Sequence, residues 1–169
     1  FEQSSETLAA FEERRCDALT SDQSQLAGLR SNSADPGSIV VLPEVISKEP
    51  LGPAYLQGDS RWADVVNWTF YATLTAEEFG ITQANVDEFL ASTDERIQRF
   101  LGQGEFASGS LLGLDNDFAV SIIRAVGNYG EIYERHLGID SPLGLDRAGG
   151  LGLNQLWTDG GLQYAPAWR

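Results

Sequence analysis

The stretch RRCDALTSDQSQL, residues 14–26, decides how the chain is read. Cys16-Asp17-Ala18-Leu19-Thr20 is a short apolar-leaning run, Ser21-Asp22-Gln23-Ser24 follows, and apolar helical spacing begins at Leu26 and Leu29. The pattern predicts a strand from Cys16 to Ser21 that hands over to a helix across residues 23–31. Asp22 stands at the handover, and two roles are open to it. As an N-cap with Gln25 at the third helical position it forms a capping-box variant, worth about 1 kcal/mol. At the carboxyl end of a strand in an open α/β sheet, where ligands gather, it can instead receive an amine. A carboxylate about 4 Å from an ammonium group gains roughly 4 kcal/mol at an effective dielectric near 20, before desolvation. The residues alone favour the cap, although two carboxylate oxygens leave room for both roles.

Before this stretch, SETLAAFEER (residues 5–14) has helical spacing, with Leu8 and Phe11 on one face and Ser5 at its start. After it, NSADPGS is a turn-rich link, and Ile39-Val40-Val41-Leu42 is a β-branched run that predicts a strand. Strands and helices alternating across short connections point to an α/β layered fold. The character then changes. Residues 47–56 carry Pro50, Gly52 and Pro53 within an extended run, the mark of an edge strand or of a linker between packed bodies. A long helix follows from Asp59 to Phe79. Trp62, Val65, Val66, Thr69, Phe70 and Leu74 form one stripe, while Trp68 and Tyr71 lie off it, so packing on more than one side is expected. Beyond Gly80 the chain reads as helical. Thr82 and Thr93 start two short helices, a glycine-rich stretch runs from Gly102 to Gly113, and one helical pattern extends from Asp115 to Leu137. The glycine-rich tail with its aromatics is expected to wrap irregularly over the surface.

Composition narrows the function. The 169 residues are 42% hydrophobic, enough for a core, and suggest one domain of ordinary size. A net charge of −14, from 25 acids against 11 bases, argues against a nucleic-acid partner and an anionic membrane surface. The single cysteine, Cys16, excludes an internal disulfide and reads as an inert core thiol. The chain begins at Phe1 and contains no methionine, so a processed or truncated product is expected.

Most candidate motifs fail on spacing. Asp115-Asn116-Asp117 continues into Ala119 and Val120 where a calcium loop needs a ligand and a glycine, so Asp115 reads as a helix N-cap. The tail glycines have no following lysine and no preceding strand, which leaves a phosphate loop unsupported. His136, the single histidine, lies near a helix C-terminus and suits carbonyls there. Glu12-Glu13 and Glu77-Glu78 read as solvated helix positions.

Five segments together carry a family resemblance. They are RRCDALTSDQSQLAGLRS, IVVLPEVISKEPLGPAYLQGD, WADVVNWTFYATLTAEEFGITQANV, LGLDNDFAVSIIRAVGNYGEIYERHLG and GLNQLWTDGGLQYAPAWR. The chain resembles, nearly end to end, the periplasmic substrate-binding proteins of polar and general L-amino-acid ABC transporters. The resemblance implies part of a two-lobed periplasmic-binding-protein type 2 fold. Residues 1–48 would be a second-lobe α/β segment, residues 49–80 a hinge strand and a return helix to the first lobe, and residues 81–169 a helical C-terminal extension. It assigns Asp22 to the ligand's α-ammonium group, with Gln23 and Ser24 beside it as further candidates. It implies a solute-binding role in the periplasm, an L-amino acid and a permease as partners, and no catalytic residue, metal or cofactor. Such proteins are about twice this long, and the arginine that clamps the ligand carboxylate has no counterpart here. Weak or absent amino-acid binding is therefore expected, and so is self-association through uncovered helix faces. A dehydratase-like enzyme on the same fold and a non-binding interaction domain are the alternatives.

Overall fold

A computed structural model describes residues 3–105 and 108–168. Residues 1–2 of the expected α/β segment, residues 106–107 of the glycine-rich stretch and Arg169 of the tail lie outside the described residues. Helix α1 spans Ser4–Glu12 and α2 spans Gln23–Ser31. Both follow the apolar spacing: Ala10 and Ala27 are buried, with Leu8, Phe11, Leu26 and Leu29 half-buried around them. Glu12 is not merely solvated. Its Oε1 accepts from the Ser33 hydroxyl at 2.6 Å and the Ala34 N–H at 3.2 Å, which ties α1 to the loop after α2.

The expected strands do not form. Among the described residues there is no named strand, only an isolated parallel bridge between Leu156 and Gln163. Residues 16–21 and 39–42 form no ladder; the one backbone hydrogen bond found there among the described residues runs from the Ile39 N–H to the Pro36 carbonyl at 3.4 Å, the closing turn of a short 3-10 helix. A strand needs a ladder partner as well as β-branched residues, and these two runs do not serve each other. Cys16 is accordingly half-buried rather than a core thiol. Residues 47–56 are extended and exposed throughout.

Helix α3, Ser60–Glu78, begins where Asp59 Oδ1 accepts from the Trp62 N–H at 3.0 Å. Ala72, Thr73, Leu74, Thr75 and Ala76 are all buried. Five consecutive residues exceed one turn of about 3.6, so no side of this part of the helix faces water. The cover comes from α4 (Val86–Phe89), α5 (Glu95–Phe100), α6 (Gly109–Leu112), α7 (Phe118–Val126) and α8 (Tyr129–His136). Ala72, Ala76 and Ala119 are fully buried beside Ile81, Val86, Phe100, Leu101, Val120 and Ile123. Alanine at these places lets α3 and α7 approach closely while the larger chains fill the sides.

The ends of the short helices depart from the sequence reading. Asp94 rather than Thr93 caps α5: its Oδ1 accepts from the Arg96 N–H at 2.9 Å. The Arg96 guanidinium donates to the same carboxylate and holds its pKa at about 2. Asp117 rather than Asp115 is the N-cap residue of α7, and it makes no side-chain capping bond. The pattern from Asp115 to Leu137 is two helices, not one. Gly127, at φ 82°, breaks it in a conformation that L side chains rarely adopt. Asn128 then starts α8 with a complete capping box: its Oδ1 accepts from the Glu131 N–H at 2.9 Å and Glu131 Oε2 accepts from the Asn128 N–H at 2.8 Å. Asn128 Nδ2 also reaches the Ile81 carbonyl at 2.9 Å and so locks α8 to the end of α3.

The tail is irregular but belongs to the core. Leu156 and Ala165 are buried against Leu74, Phe70, Tyr71 and Tyr129. Trp168 lies edge-on to Trp68 at 4.9 Å and to Phe100 at 5.1 Å, and stacks on Phe118 at 5.8 Å. Glu77 is a latch rather than a solvated residue. Arg147 Nη1 and Nη2 donate to its two oxygens at 2.5 and 3.0 Å, and Arg147 Nε donates to the Asn154 carbonyl at 2.8 Å. The guanidinium also sits 5.0 Å from the Tyr129 ring centre. A bidentate pair largely removed from water holds its geometry better than a surface pair does. Glu78 accepts from the Trp157 indole N–H at 3.0 Å.

Two outcomes follow from the tail. Trp168→Ala removes an aromatic keystone and is expected to lower stability by about 3 kcal/mol, read by urea unfolding. Burial raises the pKa values of Tyr129 and Tyr133 above the ordinary tyrosine value, with the Arg147 charge opposing the shift. Unfolded tyrosines ionise near pH 10, so this contribution is intact below about pH 10 and is lost as pH rises through the folded values. The urea midpoint is expected to hold to about pH 9.5 and then fall, and replacing both tyrosines by Phe should flatten that fall.

Candidate functional site

The backbone is extended at Asp22, with φ −58° and ψ 144°, and α2 begins at the next residue. The Asp22 carbonyl accepts from the Leu26 N–H at 2.9 Å, so the main chain starts the helix. The side chain does not: Asp22 makes no capping hydrogen bond. Gln25, the partner a capping box needs, is engaged elsewhere. It accepts from the Ser21 hydroxyl and donates to Ser4 Oγ at 3.0 Å. The capping reading of the carboxylate is therefore corrected. Gln25 ties α2 to the start of α1 and leaves the Asp22 oxygens out of the helix.

The carboxylate lines a cleft instead. Thr20, Ser21 and Asp22 form one wall, and Ile46, Ser47 and Glu49 form the other. A smaller depression that shares Thr20 and Ser21 is lined also by Gln3, Ser4, Thr7, Leu19, Gln25 and Leu29. The first cleft thus joins the end of one extended run to the proline-containing run far along the chain. Ser47 Oγ donates to Glu49 Oε1 at 3.1 Å, which steadies the second wall. Two carboxylates and three hydroxyls line it, and among the described residues no lysine or arginine does. Such a wall offers acceptors to an ammonium group, which brings three donors and one positive charge. It offers no cation to a carboxylate.

Gln23 and Ser24 do not line the cleft; Gln23 is exposed and Ser24 half-buried in the first turn of α2. Ser47 and Glu49 were missed as site residues because nothing in SKEP marks a ligand wall. Only the fold brings it opposite Asp22. His136 lies at the end of α8, where its Nε2 accepts from Arg135 Nε at 3.3 Å. Among the described residues, no three His, Cys, Asp or Glu side chains gather as a metal site. None of the described helices is long and apolar enough to cross a membrane.

With the fold and the acidic cleft described, the comparisons give the family. The chain is 54% identical over 167 residues, 98% of its length, to the general L-amino acid-binding periplasmic protein AapJ of Rhizobium johnstonii. It is 51% identical over 156 residues to the glutamate/glutamine/aspartate/asparagine-binding protein BztA of Rhodobacter capsulatus, 91% of this chain and 44% of BztA. A solved ABC transporter periplasmic binding protein from Brucella ovis, with glutathione bound, superposes with a TM-score of 0.94 at 53% identity, over all of this chain and 52% of that one. No protein-family model matches. The chain belongs to the periplasmic amino-acid-binding proteins of ABC transporters. It spans about half the length of the curated relatives it matches: 48% of AapJ and 44% of BztA. These relatives are named as binding proteins and none as an enzyme, so the dehydratase-like alternative falls away.

The geometry separates the two roles of Asp22 by stability. A capping carboxylate replaced by alanine costs about 1 kcal/mol. Because this side chain makes no capping bond, Asp22→Ala is expected to change stability by less than about 0.5 kcal/mol in urea unfolding.

Proposed function

We propose that this chain carries the ammonium-binding half of a two-ended amino-acid site. Asp22 accepts from the ligand's α-ammonium group, and Glu49 adds a second negative charge across the cleft. Ser21 and Ser47 offer hydroxyls to the same group. The observation that carries the reading is the cleft lining, with carboxylates and hydroxyls on both walls and, among the described residues, no cation. The net charge of −14 adds a favourable field for the positive end of a zwitterion. AapJ is named for L-amino acids, BztA for glutamate, glutamine, aspartate and asparagine, and the Brucella ovis protein holds glutathione. All of these compounds present an α-ammonium next to an α-carboxylate, so the ligand class is an L-amino acid or a peptide ending in such a head.

The ligand carboxylate calls for a positive group that the described residues of this cleft lack, and the other end of the site is assigned to residues outside this chain. Residues 1–48 then form part of one lobe, residues 49–58 the return through the hinge, and α3 the helix that lies back on the other lobe. Residues 81–169 pack around α3 as the helical extension. The working compartment is the periplasm, and the loaded protein delivers its ligand to an ABC permease.

Calorimetry tests this with a panel of L-amino acids. The 169 residues alone are expected to bind at millimolar Kd or weaker. Joined to the remainder of an AapJ-like protein, they are expected to bind at micromolar Kd. Asp22→Asn in the joined protein should weaken binding by about ten- to a hundredfold, the worth of a hydrogen bond to a charged group. Micromolar binding by the 169 residues alone, or an unchanged Kd in the variant, contradicts the proposal.

A further inference from the structure

Asp22 and Gln25 stand at the N-cap and third helical positions of α2. That spacing lets each side chain satisfy the other's backbone N–H. Neither does so: the Gln23, Ser24 and Gln25 N–H groups have no hydrogen-bond partner among the described residues. The usual worth of a cap favours a capping carboxylate over one turned away by about fivefold. Asp22 lies half-buried beside three open donors, so something must hold it off them.

Gln25 supplies the hold. Its Oε1 accepts from the Ser21 hydroxyl, and its Nε2 donates to Ser4 Oγ at 3.0 Å. Both ends of the amide are taken by residues outside α2: Ser21 just before it, and Ser4 in the first turn of α1. Gln25 is exposed, so neither bond is strong alone, but the two together compete with a single capping bond. A side chain engaged in this way does not reach back to the Asp22 N–H. Ser21 directly precedes Asp22, so pinning it sets how the chain enters α2 and which way the carboxylate leaves it. The same bond uses the one proton of the Ser21 hydroxyl. What Ser21 then offers the cleft is lone pairs, the acceptors an ammonium group needs. Ser4, Ser21 and Gln25 all line the smaller depression, and of these only Ser21 also lines the cleft.

We infer that Gln25 is a positioning residue for the amine site: braced on Ser21 and Ser4, it keeps the Asp22 carboxylate off the end of α2 and in the cleft. The inference rests on the amine-binding reading of the cleft and adds the residue that keeps that cleft open. Without the brace, Asp22 turns onto the α2 amides and caps the helix. With capping favoured about fivefold, roughly one chain in six keeps its carboxylate in the cleft, and the apparent Kd for an amine rises about sixfold.

A double-mutant cycle in the 169-residue chain, read by urea unfolding, tests the brace without any ligand. In the native background Asp22→Ala is expected to change the folding equilibrium by less than about twofold, because no cap is lost. In the Gln25→Leu background the same substitution should lower it about fivefold, because the carboxylate has become a cap. Ser4→Ala, which removes the brace from its far end and leaves α2 unaltered, should act in the same direction, and Ser4→Thr, which keeps the hydroxyl, should restore the native behaviour. The second readout is the Kd for L-glutamate, followed by NMR at the Asp22 carboxyl carbon. It is expected to rise about sixfold in Gln25→Leu, to rise in Ser4→Ala, and to return in Ser4→Thr. A Gln25 that only ties two helices together would lower stability without making it depend on Asp22. Additive cycles in both backgrounds overturn the inference, as does an unchanged Kd beside a coupled cycle, or loss of the fold in both variants. A coupled cycle in a chain whose Asp22 responds to no amine leaves Gln25 holding the carboxylate off the helix and removes the amine grip, so the two readings fail separately.

Discussion

The complete enclosure of α3 between Ala72 and Ala76 is the constraint on which the rest of the chain depends. A helix buried on every side can be held only by neighbours arriving from several directions. Here α7 crosses one side with Ala119, Val120 and Ile123, and Ile81 and Val86 close the end. The tail returns from more than eighty residues away to seal the remaining side with Leu156 and Ala165. The Glu77–Arg147 pair fixes that return, and its carboxylate is satisfied by two donors rather than left alone in low dielectric. One half of the molecule is therefore closed upon itself.

The other half is built in the opposite way. Residues 16–21 and 40–56 are irregular, apolar in part, and without backbone hydrogen-bond partners among the described residues. The acidic cleft lies in this region, lined by Asp22 and Glu49 together with Thr20, Ser21, Ile46 and Ser47. Preorganised polar groups bind more tightly than mobile ones.

The sequence was most legible where a signal is local. Apolar spacing placed α2 at residues 23–31 and α3 between Asp59 and Phe79 with little error. It failed where the outcome depends on distant residues. The β-branched run at 39–42 has every strand propensity but no ladder partner, so the expected strand is an unpaired segment. Glu77 looked solvated because Arg147 lies seventy residues on, and the tail looked superficial because the aromatic neighbours of Trp168 come from three different helices. The break at Gly127 was within reach, since Asn128-x-x-Glu131 is a capping-box spacing; the continuous stripe from Phe118 to Tyr133 concealed it. Asp22 was singled out by its address at the end of a run, and it lines the cleft. Its capping role failed because Ser21 and Ser4 claim Gln25, and Glu49 became visible only when the chain folded the second wall into place.

The central claim is that this cleft recognises a positive amine end and nothing else of the ligand. It is tested most directly by following the Asp22 side-chain carboxyl carbon by NMR while the 169-residue chain is titrated with L-glutamate or with 2-oxoglutarate, which keeps both carboxylates and lacks the amine. The account predicts a saturable shift at Asp22 with glutamate in the millimolar range and none with 2-oxoglutarate. Equal shifts from both compounds, or a response to 2-oxoglutarate alone, would contradict it.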